Sequence, residues 1–213
     1  MDNRSKTKIA KQYDELVEKH GFDMRSLHDK DASYKKAHQN FKFQFVMDQL
    51  TEKDSLLDVG CGLGHLADYC SMRGWKGSYT GLDLSKKMVE TTKIRLNMTN
   101  IFEKDILTDS YDKKHDVVAS IATLQQRPKF QDPIVNLEAM INKMFEICTK
   151  AVVFDVFSNT FSDYENPENL YVNLNSFTQT LCNITNNFII FNHYNSYQTT
   201  IVMFKDNSAG WKI

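Results

Sequence analysis

The sequence predicts an α/β domain: a mostly parallel, seven-stranded sheet with helices on both faces, preceded by a helical segment. Three observations carry this. From Ser55 onward, short apolar runs alternate with amphipathic helical patterns, and such alternation demands right-handed crossovers and hence a parallel sheet. Residues Ser55 to Gly64, Ser-Leu-Leu-Asp-Val-Gly-Cys-Gly-Leu-Gly, read as strand, glycine-rich turn and helix start. The last two apolar runs are joined only by Asn195-Ser196-Tyr197-Gln198; a link that short permits an antiparallel hairpin and nothing else. The final strand is therefore reversed.

In chain order, residues 6–20 place Ile9, Tyr13, Leu16 and Val17 on one helical stripe, closed by His20-Gly21. A second helix is expected over 32–50, with Phe41, Phe45, Val46, Gln49 and Leu50 inward. Residues 1–52 thus form a helical cover that takes no part in building the sheet. Residues 53–206 form the α/β domain, and 207–213 a polar tail. Strand one ends at Gly60, and a helix runs from His65 to Arg73, stopped by Gly74. Strand two covers Ser78 to Leu84. Ser85 is placed to cap a helix from Lys86 to Leu96, its oxygen accepting an otherwise orphaned N–H. Strands three and four are Ile101 to Ile106 and His115 to Ile121. A helix from Ile134 to Cys148 turns Leu137, Met140, Ile141, Met144 and Phe145 inward. Strand five, Ala151 to Phe157, is apolar almost throughout, as a strand buried on both faces should be. A helix from Glu168 to Ile184 and the hairpin strands, Phe188 to Tyr194 and Thr199 to Lys205, complete the pattern.

The 213 residues carry 26 basic and 27 acidic side chains, a formal net charge of -1. Such balance gives no global attraction to phosphate, so nucleic acid is not the favoured partner, nor is an anionic membrane. No run approaches eighteen apolar residues and the first residues lack a signal-peptide core; a cytoplasmic protein is expected. Cys61, Cys70, Cys148 and Cys182 form no pair or cluster of metal-ligand spacing. They read as reduced thiols, with no metal site.

Glycines after a strand let a ligand lie against the backbone, and the following helix offers unpaired N–H donors. Asp83 ends the next strand, nineteen residues beyond Gly64, where an acid can accept hydrogen bonds from both hydroxyls of a ribose. Leu-Asp-Val-Gly-Cys-Gly-Leu-Gly, then Gly-Leu-Asp-Leu-Ser, then Glu103-Lys104-Asp105-Ile106, then Asp116-Val117-Val118-Ala119-Ser120 resembles, in order and spacing, the Rossmann-like class I S-adenosylmethionine-dependent methyltransferases. The third glycine falls one position early for a pyrophosphate turn, which favours this cofactor over a dinucleotide.

The resemblance implies S-adenosylmethionine as cofactor and assigns roles by position. Asp83 takes the ribose diol. Asp105 accepts from the adenine amino group beside the Ile106 N–H, and Leu84 and Ile106 sandwich the ring. Gly60, Cys61, Gly62 and Gly64 face the methionine part, with Asp58 on its ammonium. Ser120 and Ile121 close the fourth strand beside the sulfonium. Lys42, on the helix before strand one, matches a basic position for the carboxylate. The cover then shapes the acceptor pocket, where Tyr13 and Tyr34 could approach the sulfonium.

The expected activity is methyl transfer to an O or N atom of a small-molecule acceptor; transfer to a macromolecule (tRNA, DNA or protein) and non-catalytic cofactor binding are the alternatives, with Lys35-Lys36, Lys42 and Arg127 as seeds of a basic groove. Displacement at a sulfonium needs alignment above all, worth about 7–11 kcal/mol, against about 3–5 kcal/mol for a general base. The catalytic residue is accordingly open: His38 and Asp155 are candidates, with His28 and His193 behind them. Arg127 and Tyr164 are candidate acceptor residues, and Tyr171 could line the same cleft. The Asn/Asp-Pro-Pro-aromatic tetrad of amino-methylating DNA enzymes is missing after strand four, which reads Ser-Ile-Ala-Thr, and no Pro-Cys nucleophile or acidic metal triad is evident.

Overall fold

Five parallel strands and an antiparallel pair organise the molecule. The computed structural model describes residues 3–27, 32–160, 166–194 and 197–205, with residues 24 and 32–37 as backbone only. Its strands are β1 (Ser55–Val59), β2 (Ser78–Asp83), β3 (Ile101–Glu103), β4 (His115–Ser120), β5 (Cys148–Ser158), β6 (Tyr171–Val172), β7 (Phe188–Phe191) and β8 (Gln198–Phe204). The order is β3-β2-β1-β4-β5-β8-β7, with β6 paired to β5. Strands β1 to β5 are mutually parallel, and β8 runs antiparallel to both β5 and β7. The helices are α1 (Asn3–His20), α2 (Ala32–Met47), α3 (His65–Met72), α4 (Lys86–Leu96), α5 (Pro133–Ile147) and α6 (Leu174–Cys182), with a 3-10 turn at Met24–Ser26.

Alternate strand residues bury into two separate cores, as the two-residue period requires. Leu57, Val59, Val118, Val152 and Phe154 pack with α5 and α6. Leu56, Val117, Ala119, Ala151 and Val153 pack on the other face with Phe43, Phe45 and Val46 of α2. Phe43 takes an inward place that the helical stripe had not predicted, while Phe41 is 42% exposed and meets the rings of Phe45, His193 and Tyr194 at its edge.

Helix α4 begins and ends where the sequence predicts, because its start is locally encoded: Ser85 Oγ accepts the Met88 N–H at 3.0 Å. Two expectations differ. Strand β3 stops at Glu103 instead of reaching Ile106, since Asp109 accepts the Asp105 N–H at 2.8 Å and Asp105 accepts the Leu107 N–H at 2.9 Å. These carboxylates turn the chain out of the sheet. The single helix expected from Glu168 is instead β6 followed by α6, whose start is fixed by Asn173 accepting the Asn175 N–H; the sheet therefore has eight strands.

Helix α1 lies against α4. Asp14 accepts hydrogen bonds from Ser85 Oγ and from the Lys87 N–H, and Lys87 meets Glu18. Helix α1 is thus docked just past the carboxyl end of β2, on the side where ligands of such sheets bind.

Candidate functional site

Gly60, Gly62 and Gly64 all have positive φ, at 77°, 50° and 75°, a region that L side chains rarely adopt. A Cβ on Gly60 would lie 2.2 Å from Thr123 Oγ1, and one on Gly62 2.8 Å from Leu27. The turn is pinned from β2: the N–H groups of Gly60 and Cys61 donate to the Leu82 carbonyl at 2.8 and 3.0 Å. Asp83 braces it further, accepting the Gly62 N–H and the Ser85 N–H, each at 2.9 Å.

Two cavities open at this turn, of about 790 and 630 Å³ with their mouths included. They share Ile9, Gly60, Asp83, Leu84, Thr123 and Gln126, so they form one bent cleft with Asp83 at its waist. The first half is lined by Asp58, Gly60, Cys61, Gly62, Ile121 and Tyr13, among others. The second is lined by Leu84, Asp105, Ile106 and apolar side chains of α5. A third cavity, about 910 Å³, lies beneath α2 and meets the first at Gln39, Ala122 and Gln126.

Nine of the twelve proposed cofactor residues therefore line the bent cleft. Gly64, Ser120 and Lys42 do not. Gly64 is the residue before α3, where a Cβ would strike Leu96 at 2.5 Å. Ser120 turns its hydroxyl to the Val59 carbonyl at 3.0 Å, tying β4 to β1. Lys42 lines the third cavity and donates to Asp155 at 2.7 Å, both side chains almost wholly buried.

Burial sets the electrostatics of the cleft. Desolvation lifts the Asp58 carboxyl from 3.8 to about 7, even though the Tyr79 hydroxyl donates to it at 2.7 Å. Asp83 is raised by the same cause, opposed by its backbone donors. The Cys61 thiol is pushed well up by burial, which holds it neutral, a space-filling group against Gly81. Burial also raises Tyr13, to about 12, and its hydroxyl accepts from Gln126 at 2.7 Å.

Asp155, a sequence candidate for catalysis, is fully buried and saturated. It accepts from Lys42, from Gln125 and from the Ala122 N–H, the last at 2.6 Å. Ala122 itself has φ of 61°, so this carboxylate holds a strained turn at the end of β4. His38 lines the third cavity. His193 instead packs among Phe41, Phe191 and Tyr194. Arg127 lines outer cavities beside Lys8 and Lys129 and none of the three central ones. Tyr171 stacks on Phe157 at 5.3 Å. His28, Tyr164, the side chains of Tyr34, Lys35 and Lys36, and the tail lie outside the described residues. Tyr79, Thr123, Gln125 and Gln126 were missed, because their importance comes from partners far along the chain; the pair Gln125-Gln126 after strand four was the one visible signal.

Residues 56–151 match the model of a methyltransferase domain. This stretch carries the glycine turn, Asp83 and Asp105. Among curated relatives, the chain is similar to malonyl-(acyl-carrier protein) O-methyltransferases. That of Bacillus anthracis is 30% identical over 84 residues, 38% of this chain and 31% of the relative. That of Priestia megaterium is 26% identical over 138 residues, 62% and 47%. The chain spans less than half the length of the curated relatives it matches. Among solved structures, magnesium protoporphyrin IX methyltransferase of Synechocystis PCC 6803 with bound SAM aligns over 97% of this chain and 98% of its own at a TM-score of 0.68 and 15% identity. That likeness is one of fold, and it extends the methyltransferase architecture through both cover helices.

Proposed function

We propose that the bent cleft binds S-adenosylmethionine and that its methyl group passes to an O or N atom of a small-molecule acceptor seated in the third cavity, in the cytoplasm. The observation that carries this is Asp83 at the waist of the cleft, its carboxylate braced by the Gly62 and Ser85 N–H groups and opening onto both halves. The residues suit the group. A ribose diol meets Asp83; an adenine ring fits between Leu84 and Ile106 with Asp105 beside it; the amino acid part lies along Gly60, Cys61 and Gly62. An ammonium placed near Asp58 supplies the opposite charge that this buried carboxyl otherwise lacks.

When bound, the cofactor supplies a methyl group made electrophilic by its sulfonium. The chain's own contribution is alignment and exclusion of water. Gln39, Ala122 and Gln126 border both the cleft and the third cavity, where they would keep an acceptor beside that methyl group, and an O–H or N–H acceptor would give up its proton on transfer. Asp155 is not the base for that proton, since three donors already occupy it; it acts through Ala122 as a positioning residue. Among the described residues no group of three or more metal-ligating side chains comes together, and no helix is long and apolar enough to cross a membrane.

Titration calorimetry tests the cofactor site. Asp83→Ala should weaken S-adenosylmethionine binding roughly ten- to a hundredfold, as loss of hydrogen bonds to a charged group does; unchanged affinity would remove Asp83 from the site. Incubation with labelled cofactor, a metabolite extract and total RNA should put label in the small-molecule fraction. Label in RNA or protein instead would move the acceptor to the macromolecular class.

A further inference from the structure

We infer that the acceptor is a neutral polar molecule, bearing hydroxyl or amide groups and a flat apolar face, read by the side-chain amides of Gln39, Asn169 and Gln198 in the cavity beneath α2. This rests on the functional reading above and deepens it.

The cavity is walled by α2, the turn after β4, the end of β5 and the start of β8. Among the described residues, Lys42 is its one lysine, arginine or carboxylate side chain, and that ammonium is spent on Asp155 at 2.7 Å with only 3% of the residue exposed. Among the described residues, His38 is the only other lining side chain that can take up a charge near neutral pH, and no lysine, arginine or carboxylate is left there to pair a carboxylate, a phosphate or a fixed positive charge on the acceptor. Burying such a charge without a partner is costly, and that cost selects against it.

Polar recognition is nevertheless abundant. Gln125 is committed to Asp155, and Gln126 donates to Tyr13. The side-chain amides of Gln39, Asn169 and Gln198 line the same cavity, are each half-buried, and have no hydrogen-bond partner among the described residues. Each offers two N–H donors and a carbonyl acceptor, the complement of hydroxyl and amide groups. Leaving them unmatched against an apolar ligand would cost the desolvation of every one. Phe157 supplies the flat wall, its own orientation fixed by stacking on Tyr171 and by an edge contact to Tyr197 at 5.7 Å. Gln39, Ala122 and Gln126 border both this cavity and the cleft at the glycine turn, so a molecule held by the amides adjoins the methionine end of the cofactor.

The test uses the full chain, labelled S-adenosylmethionine and a small-molecule metabolite extract separated at pH 7 on paired anion and cation exchangers. Label should appear in the fraction retained by neither. Within that fraction, Asn169→Leu and Gln198→Leu should each raise the concentration needed for half-maximal transfer roughly twofold to tenfold, the worth of one neutral hydrogen bond. Cofactor affinity by calorimetry should stay unchanged, which also reports that both variants fold. Label only in the charge-retained fractions, label in none, or both variants matching the parent chain would overturn the inference. Failure of the parent chain to bind S-adenosylmethionine at all would instead overturn the functional reading beneath it.

Discussion

Asp58 and Asp155 stand at comparable places on parallel strands, both buried, with 3% and 0% of their surface exposed, and they have opposite lives. Asp155 is surrounded by donors, an ammonium, an amide and a backbone N–H, and its charge is consumed in holding α2, the turn at Ala122 and β5 together. Among the described residues, Asp58 receives a side-chain hydrogen bond from Tyr79 alone, and burial raises its pKa to about 7. A buried carboxylate with its donors in place is architecture; one short of a counter-charge is a candidate for a ligand. Sequence position does not distinguish them, since each is an acid inside an apolar strand.

The contrast breaks most severely at Asp155. Asp155→Ala leaves Lys42 charged and buried without a partner, and should cost about 3–5 kcal/mol of stability, read from the denaturant midpoint in a urea titration. The double replacement Lys42→Met with Asp155→Leu should recover much of that loss, because a well-packed apolar pair needs no counter-charge. A loss under about 1 kcal/mol for the single variant would mean that the ion pair does not hold the cover.

At Asp58 the signature is pH rather than fold. The folded chain keeps a proton there up to about pH 7, whereas the unfolded chain releases it near 3.8. The stabilisation is therefore complete below about pH 4 and lost as pH rises through 7, on the order of 4 kcal/mol in all. Urea titrations between pH 4 and pH 8 should show this slope in the parent and not in Asp58→Asn. Cofactor affinity should move the other way, rising with pH up to about 7, because the proposed contact sets the ammonium on the ionised carboxylate and would displace its proton. Calorimetric enthalpies below pH 7 should accordingly depend on the buffer, and not do so in Asp58→Asn.

The smallest expected effect sharpens the origin of that pKa. The Tyr79 hydroxyl favours the ionised form of Asp58, so Tyr79→Phe should cost about 1 kcal/mol and push the stability transition above pH 7. A transition that stays put in the same titration series would show that burial alone sets it.

How far these features were legible from the residues depended on distance along the chain. The glycine turn, Asp83 and the cap at Ser85 are local devices, with partners two to about twenty residues away, and the period-two strands and closing hairpin are written in short patterns. Lys42 is assigned to a ligand carboxylate by the resemblance, from its place on the helix before strand one; its partner in the fold is 113 residues away. Tyr13 and Gln126 are equally far apart. Strand β3 was drawn too long because its apolar residues continue past the point where Asp105 and Asp109 turn the chain.

By itself, then, the sequence determined the α/β order, the reversed last strand, the glycine turn and the acid across from it, because backbone conformation, burial period and capping are set by neighbours in the chain. Only the tertiary structure decided which buried carboxylate is saturated and which is short of charge, that Ser120 and Gly64 brace the site without lining it, and that three amides from α2, the segment before β6 and β8 converge on one cavity. Those are questions of which donor meets which acceptor across the fold, and hydrogen bonding between distant segments leaves no periodic trace in the residues that make it.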